Sequence, residues 1–170
     1  MNNLFIPPPL QAFPMVSDWL SFTPDGGVHL LSGRVELGQG IATALIQIAA
    51  DELDVGMDTI NLIQGHSEIS PAEGPTVGSL SITFGGQSIR IATAAARSLM
   101  LDNAAGLLQT TSNTLTVRAG DILKDGLETG LSYGSLSQSV DLVVYAMDHA
   151  HPKAAADRRM TGIAVPRVDL

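Results

Sequence analysis

The stretch that decides the fold runs from Gly33 to Asp54 and reads GRVELGQGIATALIQIAADELD. A strand and a glycine-flanked turn come first, and the turn opens a helix that we predict from Ile41 to Asp54. Apolar residues recur there at helical spacing, whereas Gln47, Asp51 and Glu52 are expected to face outward. The apolar positions are Ile41, Leu45, Ile48, Ala49 and Leu53. The pattern indicates an amphipathic helix packed on a sheet.

The flanking segments predict the rest of that sheet and a second long helix. β-Prone runs between Trp19 and Glu36 surround a turn sequence, Pro24-Asp25-Gly26-Gly27, and indicate two strands. Thr59 to Gln64 reads as another strand. From about Gly86 to Leu108 the apolar stripe is again helical. It consists of Ile89, Ala92, Ala96, Leu99 and Met100.

Beyond that helix, two short strands at Thr114–Arg118 and Ile122–Leu127 look like a hairpin, and Ser132 begins a short helical turn. The fold class that follows is α+β, with two long helices packed on a mostly antiparallel sheet. We expect residues 1–18 to form an extended arm because they contain four prolines. Residues 19–148 would form the α+β module, and 149–170 a linker.

Composition limits the functions that the chain can have. Its 170 residues, 45% of them apolar, suffice for one compact domain. A net charge of −8 disfavours nucleic acid as a partner. The absence of cysteine excludes disulfides, iron–sulfur clusters and thiolate metal sites in this chain. With no apolar run near the ~20 residues that span a bilayer, and prolines where a signal peptide would lie, we expect a cytoplasmic protein.

The turn Gly38-Gln39-Gly40 is the first candidate site. A glycine-flanked turn at a helix N-terminus exposes backbone N–H groups and the positive end of the helix dipole. The amide of Gln39 would offer a donor and an acceptor to a planar heterocycle such as a pterin. The alternative is an ordinary tight turn whose glycines only let the strand pass into the helix.

The loop that precedes the second long helix is the other candidate site. It contains Thr76, Val77, Gly78, Ser79, Leu80 and Ser81. Small residues let backbone amides approach a ligand, and hydroxyls add hydrogen-bond donors without charge. The loop could therefore hold a phosphate or the edge of a pyran ring. The alternative is a polar surface loop with helix-capping residues.

Taken together, the two segments resemble a known family. Residues 33–54 closely resemble the GQG segment of the xanthine dehydrogenase and aldehyde oxidase relatives. Residues 73–81, EGPTVGSLS, resemble that family's next cofactor-contacting loop and follow Gln39 at the usual separation. The chain looks most like the bacterial isoquinoline 1-oxidoreductase β-subunit type. Residues 162–170 are similar to the stretch before the hammerhead domain there, so we expect an N-terminal fragment.

The resemblance implies a cofactor, an activity and partners. Gly38 and Gln39, with Gly40 beside them, would contact the pyranopterin–dithiolene of a molybdenum cofactor, for which a cytosine dinucleotide is one form, and Thr76 to Ser81 would line it. The parent enzyme would hydroxylate N-heterocycles or aldehydes with oxygen from water. Its catalytic glutamate belongs to a GxGE-type segment that this chain lacks, so no catalytic or metal-binding residue is predicted here and the chain alone would be inactive. Its partners would be the remainder of the subunit, an iron–sulfur subunit and a small-molecule substrate.

Two other hypotheses stay open at this point. The chain could be an interaction or assembly module that retains the fold without binding cofactor. It could also fold alone as a homo-oligomer, which would hide the surface that the remainder of the subunit otherwise covers.

Overall fold

The computed structural model describes residues 5–159. Its α-helices are α1 (Pro8–Ala12), α2 (Ile41–Leu53), α3 (Gln87–Leu107), α4 (Tyr133–Leu136) and α5 (Ala146–His149). The strands are β1 (Leu20–Phe22), β2 (Val28–Ser32), β3 (Ile60–Gln64), β4 (Leu115–Arg118), β5 (Asp121–Lys124) and β6 (Leu127–Ser132). A π-helical turn, Ser81–Gly86, leads into α3. Short 3-10 turns lie at Val16–Asp18, Met57–Thr59, Ser112–Thr114 and Ala155–Asp157.

The first sheet has the order β1-β2-β3. β1 and β2 form an antiparallel hairpin around the predicted turn, in which Gly26 has a φ of 89°. A residue with a side chain would be strained there. α2 then carries the chain across, so that β3 pairs with β2 in parallel. The carboxyl ends of β2 and β3 therefore lie at the same edge of the sheet.

The helices α2 and α3 pack against each other and supply much of the core. Four of the five residues in the predicted stripe of α3 are fully buried, and Leu99 is partly buried. Small residues make the approach close: a Cβ added to Gly86 would lie 2.9 Å from Ile48 Cδ1. The predicted bounds of both helices agree with the structure to within one residue at each end.

A second sheet, β4-β5-β6, is entirely antiparallel. It is attached to the C-terminal end of α2, because the Tyr133 hydroxyl donates to Leu53 O (3.0 Å) and Gly120 N donates to Asp54 O (3.2 Å). The α+β class with two long helices is confirmed. The strands form two sheets where we expected one. The predicted strand Ile122–Leu127 is wrong at its end: it stops at Lys124, and a turn at Asp125 and Gly126, both with positive φ, leads into β6.

The extended arm predicted for residues 1–18 is wrong for the part that the structure describes. α1 begins directly after Pro7, and proline suits the first turn of a helix because the N–H it lacks has no partner there. Leu10 and Val16 are buried in the core. The Trp19 indole donates to Phe13 O at 2.8 Å, which holds the segment against the domain.

The outward orientation predicted for two carboxylates of α2 is also wrong. Asp51 and Glu52 are only 5% and 0% exposed. Arg90 of α3 pairs with Glu52, whereas the backbone N–H of Arg159 donates to Asp51 Oδ1 at 2.8 Å. Helical periodicity predicts the direction in which a side chain points. It does not predict whether another part of the chain covers that side chain.

The predicted linker, residues 149–170, is described only as far as residue 159. That part packs on the domain: Lys153 N donates to Glu52 Oε2 (3.1 Å), and Lys153 Nζ pairs with Asp54 Oδ1 (2.6 Å). Residues 160–170, including the stretch that resembles the approach to a hammerhead domain, lie outside the described residues. In the described part of the chain, no helix is both long and apolar enough to span a membrane.

Candidate cofactor-binding cleft

The two candidate segments meet because of the sheet topology. The loop formed by residues 33–40 follows β2, and the loop formed by residues 65–80 follows β3. Since β2 and β3 are parallel neighbours, both loops leave the sheet at the same edge. In open sheets of parallel strands, the carboxyl edge is the usual location of ligand crevices. We call residues 33–40 the first loop. Within the segment that follows β3, we call residues 71–80 the second loop.

A cleft of about 700 Å³ lies between the two loops and the start of α2. Its lining residues are Leu37, Gln39, Gly40, Ile41, Ala44, Thr76, Val77, Gly78, Ser79, Ser81, Ile82 and Thr83. Seven of the nine residues predicted to contact a cofactor are among them, and only Gly38 and Leu80 are not. Residues that are about 40 positions apart in the sequence thus share one cavity.

The lining is neutral. No charged side chain contributes to it, and its polar groups are the Gln39 amide and four hydroxyls, those of Thr76, Ser79, Ser81 and Thr83. Three large apolar side chains of the lining are exposed: Leu37 by 73%, Val77 by 57% and Ile82 by 48%. Apolar walls with a few convergent polar groups are typical of small-molecule sites.

The Gln39 amide is less free than the sequence predicts. Its Nε2 donates to Val35 O (3.0 Å), and its Oε1 accepts from Leu37 N (2.5 Å). The amide therefore rigidifies the first loop. A primary amide carries two N–H donors and an oxygen that can accept twice, so each end keeps the capacity for one more hydrogen bond.

Glu36 occupies the N-terminus of α2, where we expected free backbone donors. Its Oε1 accepts from Gly38 N (2.7 Å) and Gly40 N (3.0 Å), and its Oε2 accepts from Ala42 N (3.0 Å). These bonds, foremost those from Ala42 and Gly40, lower the pKa of the Glu36 carboxyl below its usual range. The backbone donors that we expected to be free at this helix end are therefore occupied by a carboxylate of the same loop. A glutamate shortly before a glycine-flanked helix start was the signal available in the sequence.

The second loop presents donors that the fold does not use. Gly78 and Ser79 both have φ near 60°, a strained value for a serine. Leu80 N donates back to Val77 O at 3.1 Å, but no residue among 5–159 accepts a hydrogen bond from the N–H of Gly78 or Ser79. These two amides, with the nearby hydroxyls, are available to a ligand.

A buried ion pair lies behind the cleft, and no pattern in the sequence predicted it. Glu73 Oε2 accepts from Ser32 Oγ (2.6 Å) and Gly33 N (2.7 Å), and Glu73 Oε1 lies 3.6 Å from Arg34 Nε. Arg34 Nη1 donates to Pro75 O at 2.6 Å. Both side chains are fully buried and neither lines the cleft.

The sequence matches the molybdopterin cofactor-binding domain family over residues 6–161. The chain belongs to this family. The match includes both loops, all of α2 and α3 and both sheets, so it covers the whole described domain and not a single motif. Among residues 5–159, no group of three or more His, Cys, Asp and Glu side chains is arranged to hold a metal ion.

Relatives with known names are similar to this chain over most of its length. A nicotinate dehydrogenase subunit of Pseudomonas putida is 34% identical over 89% of this chain and 13% of its own length. A membrane-bound aldehyde dehydrogenase (pyrroloquinoline-quinone) of Gluconacetobacter polyoxogenes is 31% identical over 86% of this chain and 19% of its own. The β-subunit of isoquinoline 1-oxidoreductase of Brevundimonas diminuta is 28% identical over 73% and 17%. The chain thus spans less than one fifth of each relative's length.

The fold is also found in a solved structure. Quinoline 2-oxidoreductase from Pseudomonas putida 86 superposes on 71% of this chain and 15% of its own with a TM-score of 0.58. The sequence identity over that region is 22%, so the likeness concerns the fold alone.

Proposed function

We propose that the cleft binds the pterin part of a molybdenum cofactor and that the chain is a cofactor-binding portion of a molybdenum hydroxylase. The observation that carries the proposal is the neutral cleft, which gathers Gln39, Thr76, Ser79 and Ser81 between apolar walls. An uncharged, planar, hydrogen-bonding ring fits such a lining better than a phosphate or a metal ion does.

Each part of the lining has a role in this proposal. The remaining N–H and lone pair of the Gln39 amide, held by Val35 and Leu37, would orient the edge of the ring. Ser79 and Ser81 add hydroxyls, and the free N–H groups of Gly78 and Ser79 add neutral donors. Leu37, Val77 and Ile82 would exclude water from the bound ring. The cofactor, when bound, would supply the redox chemistry of hydroxylation with water as the oxygen source.

The chain does not supply a catalytic base to this cleft from its described residues. Glu36 is bonded to three backbone N–H groups, and Glu73 is buried against Arg34. The general base of the reaction would therefore come from another part of the enzyme. A phosphate-bearing tail, such as that of a cytosine dinucleotide form, meets no cation in the cleft and would extend toward other segments.

The substrate class and partners follow from the relatives. Two of them are named for N-heterocycles and one for aldehydes. We propose a substrate of one of these classes, bound at a pocket that the remainder of the subunit completes. Because this chain has no cysteine, iron–sulfur centres would belong to a partner subunit. A cytoplasmic location completes the proposal.

The test is Gln39→Ala in the complete enzyme, purified with its co-encoded neighbours. Each neutral hydrogen bond lost should weaken cofactor binding by about 1 kcal/mol, or roughly fivefold. Molybdenum content and the fluorescence of the oxidised, released pterin report occupancy. Gln47→Ala is the control, because Gln47 lies exposed on α2 outside the cleft.

Two outcomes would contradict the proposal. Full occupancy and unchanged turnover of Gln39→Ala would remove Gln39 from the site. An unsubstituted complex that contains neither molybdenum nor pterin would favour the cofactor-free interaction module.

A further inference from the structure

We propose that Arg34 and Glu73 are positioning residues that set the width and the rigidity of the cleft by joining its two loops. The inference rests on the proposed function only in treating the cleft as a ligand site. Neither residue touches the cleft itself, so any effect on a ligand is transmitted through the backbone of the loops.

The linkage is reciprocal. Glu73 belongs to the second loop and accepts from Ser32 Oγ and Gly33 N, where β2 passes into the first loop. Arg34 belongs to the first loop and donates to Pro75 O of the second at 2.6 Å. Each charged side chain thus holds the backbone of the opposite loop. The loop backbones also touch: a Cβ on Gly33 would lie 2.2 Å from Pro71 O.

The turn that opens α3 provides the space for the pair. A Cβ added to Gly85 would lie 2.7 Å from Glu73 Oε1 and 3.2 Å from Arg34 Cγ. The same turn contributes Ser81, Ile82 and Thr83 to the cleft. The pair therefore lies at the point where the two loops and the third wall of the cleft come together.

The energetics favour positioning over general stability as the role of the pair. Arg34 Nε, Arg34 Nη2 and Glu73 Oε1 are buried without a hydrogen-bond partner among the described residues. Desolvation of two charges is offset only when geometry and additional hydrogen bonds are good, and here Nε and Oε1 are 3.6 Å apart. Two apolar side chains in place of Arg34 and Glu73 could stabilise the core equally well. They could not form the hydrogen bonds to Gly33 N and Pro75 O.

The experiment is hydrogen–deuterium exchange on the 170-residue chain without cofactor. The reporter is the Val35 amide, which donates across the loops to Thr76 Oγ1 (3.1 Å) and not to the side chain of Arg34 or Glu73. Glu73→Gln is the test variant. The control is Glu52→Gln, which disrupts another buried Arg–Glu pair, that with Arg90 between α2 and α3.

We expect Glu73→Gln to raise exchange about tenfold in both loops, at Val35 and across residues 74–80, since the linkage that holds them is lost. Exchange in β4–β6 of the same variant, the internal reference, should stay unchanged. Glu52→Gln, which is expected to lower the stability of the whole domain, should raise exchange in the two loops no more than elsewhere in the chain. Arg34→Met should raise exchange in the same two loops, and the double variant should add little because both changes break one linkage.

Several results would overturn the proposal. In Glu73→Gln, these are a rise confined to the substituted loop or a rise spread evenly over the chain; in Glu52→Gln, it is the same rise specific to the two loops. If Glu73→Gln does not fold, Glu73→Asp, which keeps the charge and shortens the reach, takes its place. Failure of both to fold would make the pair a global stability element and would also overturn the inference. The exchange experiment could show that the two loops are coupled while the complete enzyme contains no cofactor. That combination would contradict only the proposed function.

Discussion

The two ends of α2 are held in opposite ways. At its N-terminal end, which we call the cleft end, Gly40 is exposed and the cleft beside it has a neutral lining. Its C-terminal end, the acidic end, carries Asp51, Glu52 and Asp54. Cationic side chains from α3 and from residues 149–159 pair with Glu52 and Asp54; they are Arg90, Arg97, Lys153 and Arg159. The Asp51 carboxylate accepts from the backbone N–H of Arg159.

The difference shows how one helix can serve both cohesion and binding. Carboxylates at the C-terminus of a helix oppose its dipole, and burial adds a desolvation cost, so they are stable only with cations close by. The acidic end therefore fixes how α3 and residues 149–159 pack. At the cleft end, Glu36 neutralises the dipole within its own loop, which leaves uncharged polar groups for a ligand.

We expect the largest effect on stability at Glu52, which lies at the acidic end of α2. Glu52→Gln removes the charge of a fully buried carboxylate that pairs with the partly buried Arg90, and it should lower the free energy of unfolding by about 3 kcal/mol. Urea denaturation followed by circular dichroism measures this. Glu128→Gln is the control, since its partner Arg118 and Glu128 are both mostly exposed, and no measurable change is expected. Equal effects of the two substitutions would show that the acidic end does not hold the fold together.

The pH dependence of stability provides a second test of the acidic end, through the buried hydroxyl of Tyr133. Burial raises the pKa of the Tyr133 hydroxyl far above its usual value near 10. Above about pH 10 the unfolded chain loses this proton and the folded chain keeps it, so the free energy of unfolding should fall by up to about 1.4 kcal/mol per pH unit. Below that pH the contribution is fully present.

The substitution Tyr133→Phe should remove this alkaline decline. It should also cost about 1 kcal/mol at neutral pH, because the bond to Leu53 O is lost. Tyr145→Phe, at an exposed tyrosine, is the control and should follow the unsubstituted chain. An alkaline decline that persists undiminished in Tyr133→Phe would argue against a buried hydroxyl at the acidic end.

Glu36 gives the smallest and most local effect, at the cleft end. Because backbone N–H groups lower its pKa, the capping interaction is present above the ordinary glutamate pKa of about 4.3 and is lost as pH falls through the lowered value. The amide resonances of Gly38, Gly40 and Ala42 should therefore titrate together, at a pH below the ordinary glutamate pKa. Glu36→Gln should abolish that titration, and Glu68→Gln, outside the cleft, should not. Amides that titrate independently would contradict the cap.

Local patterns predicted the regular elements well. Both long helices follow from 3.6-residue periodicity, and the β1–β2 turn follows from Pro24 to Gly27, since each signal lies within the element it predicts. The strand β6 was missed although its pairing with β5 spans only the turn Asp125-Gly126, because we predicted one strand that ran through this turn. The division into two sheets was missed because it depends on contacts between distant residues. The burial of Leu10 was missed for the same reason.

The amino-acid sequence by itself determined the class of fold, the two long helices and the two loops that line the cleft, because these depend on short-range spacing and on residue type. Only the tertiary structure decided how the polar groups are used. It placed Arg34 against Glu73, and cations against Glu52 and Asp54. A charged side chain takes the partner that folding brings near it, and spacing along the chain does not specify that partner.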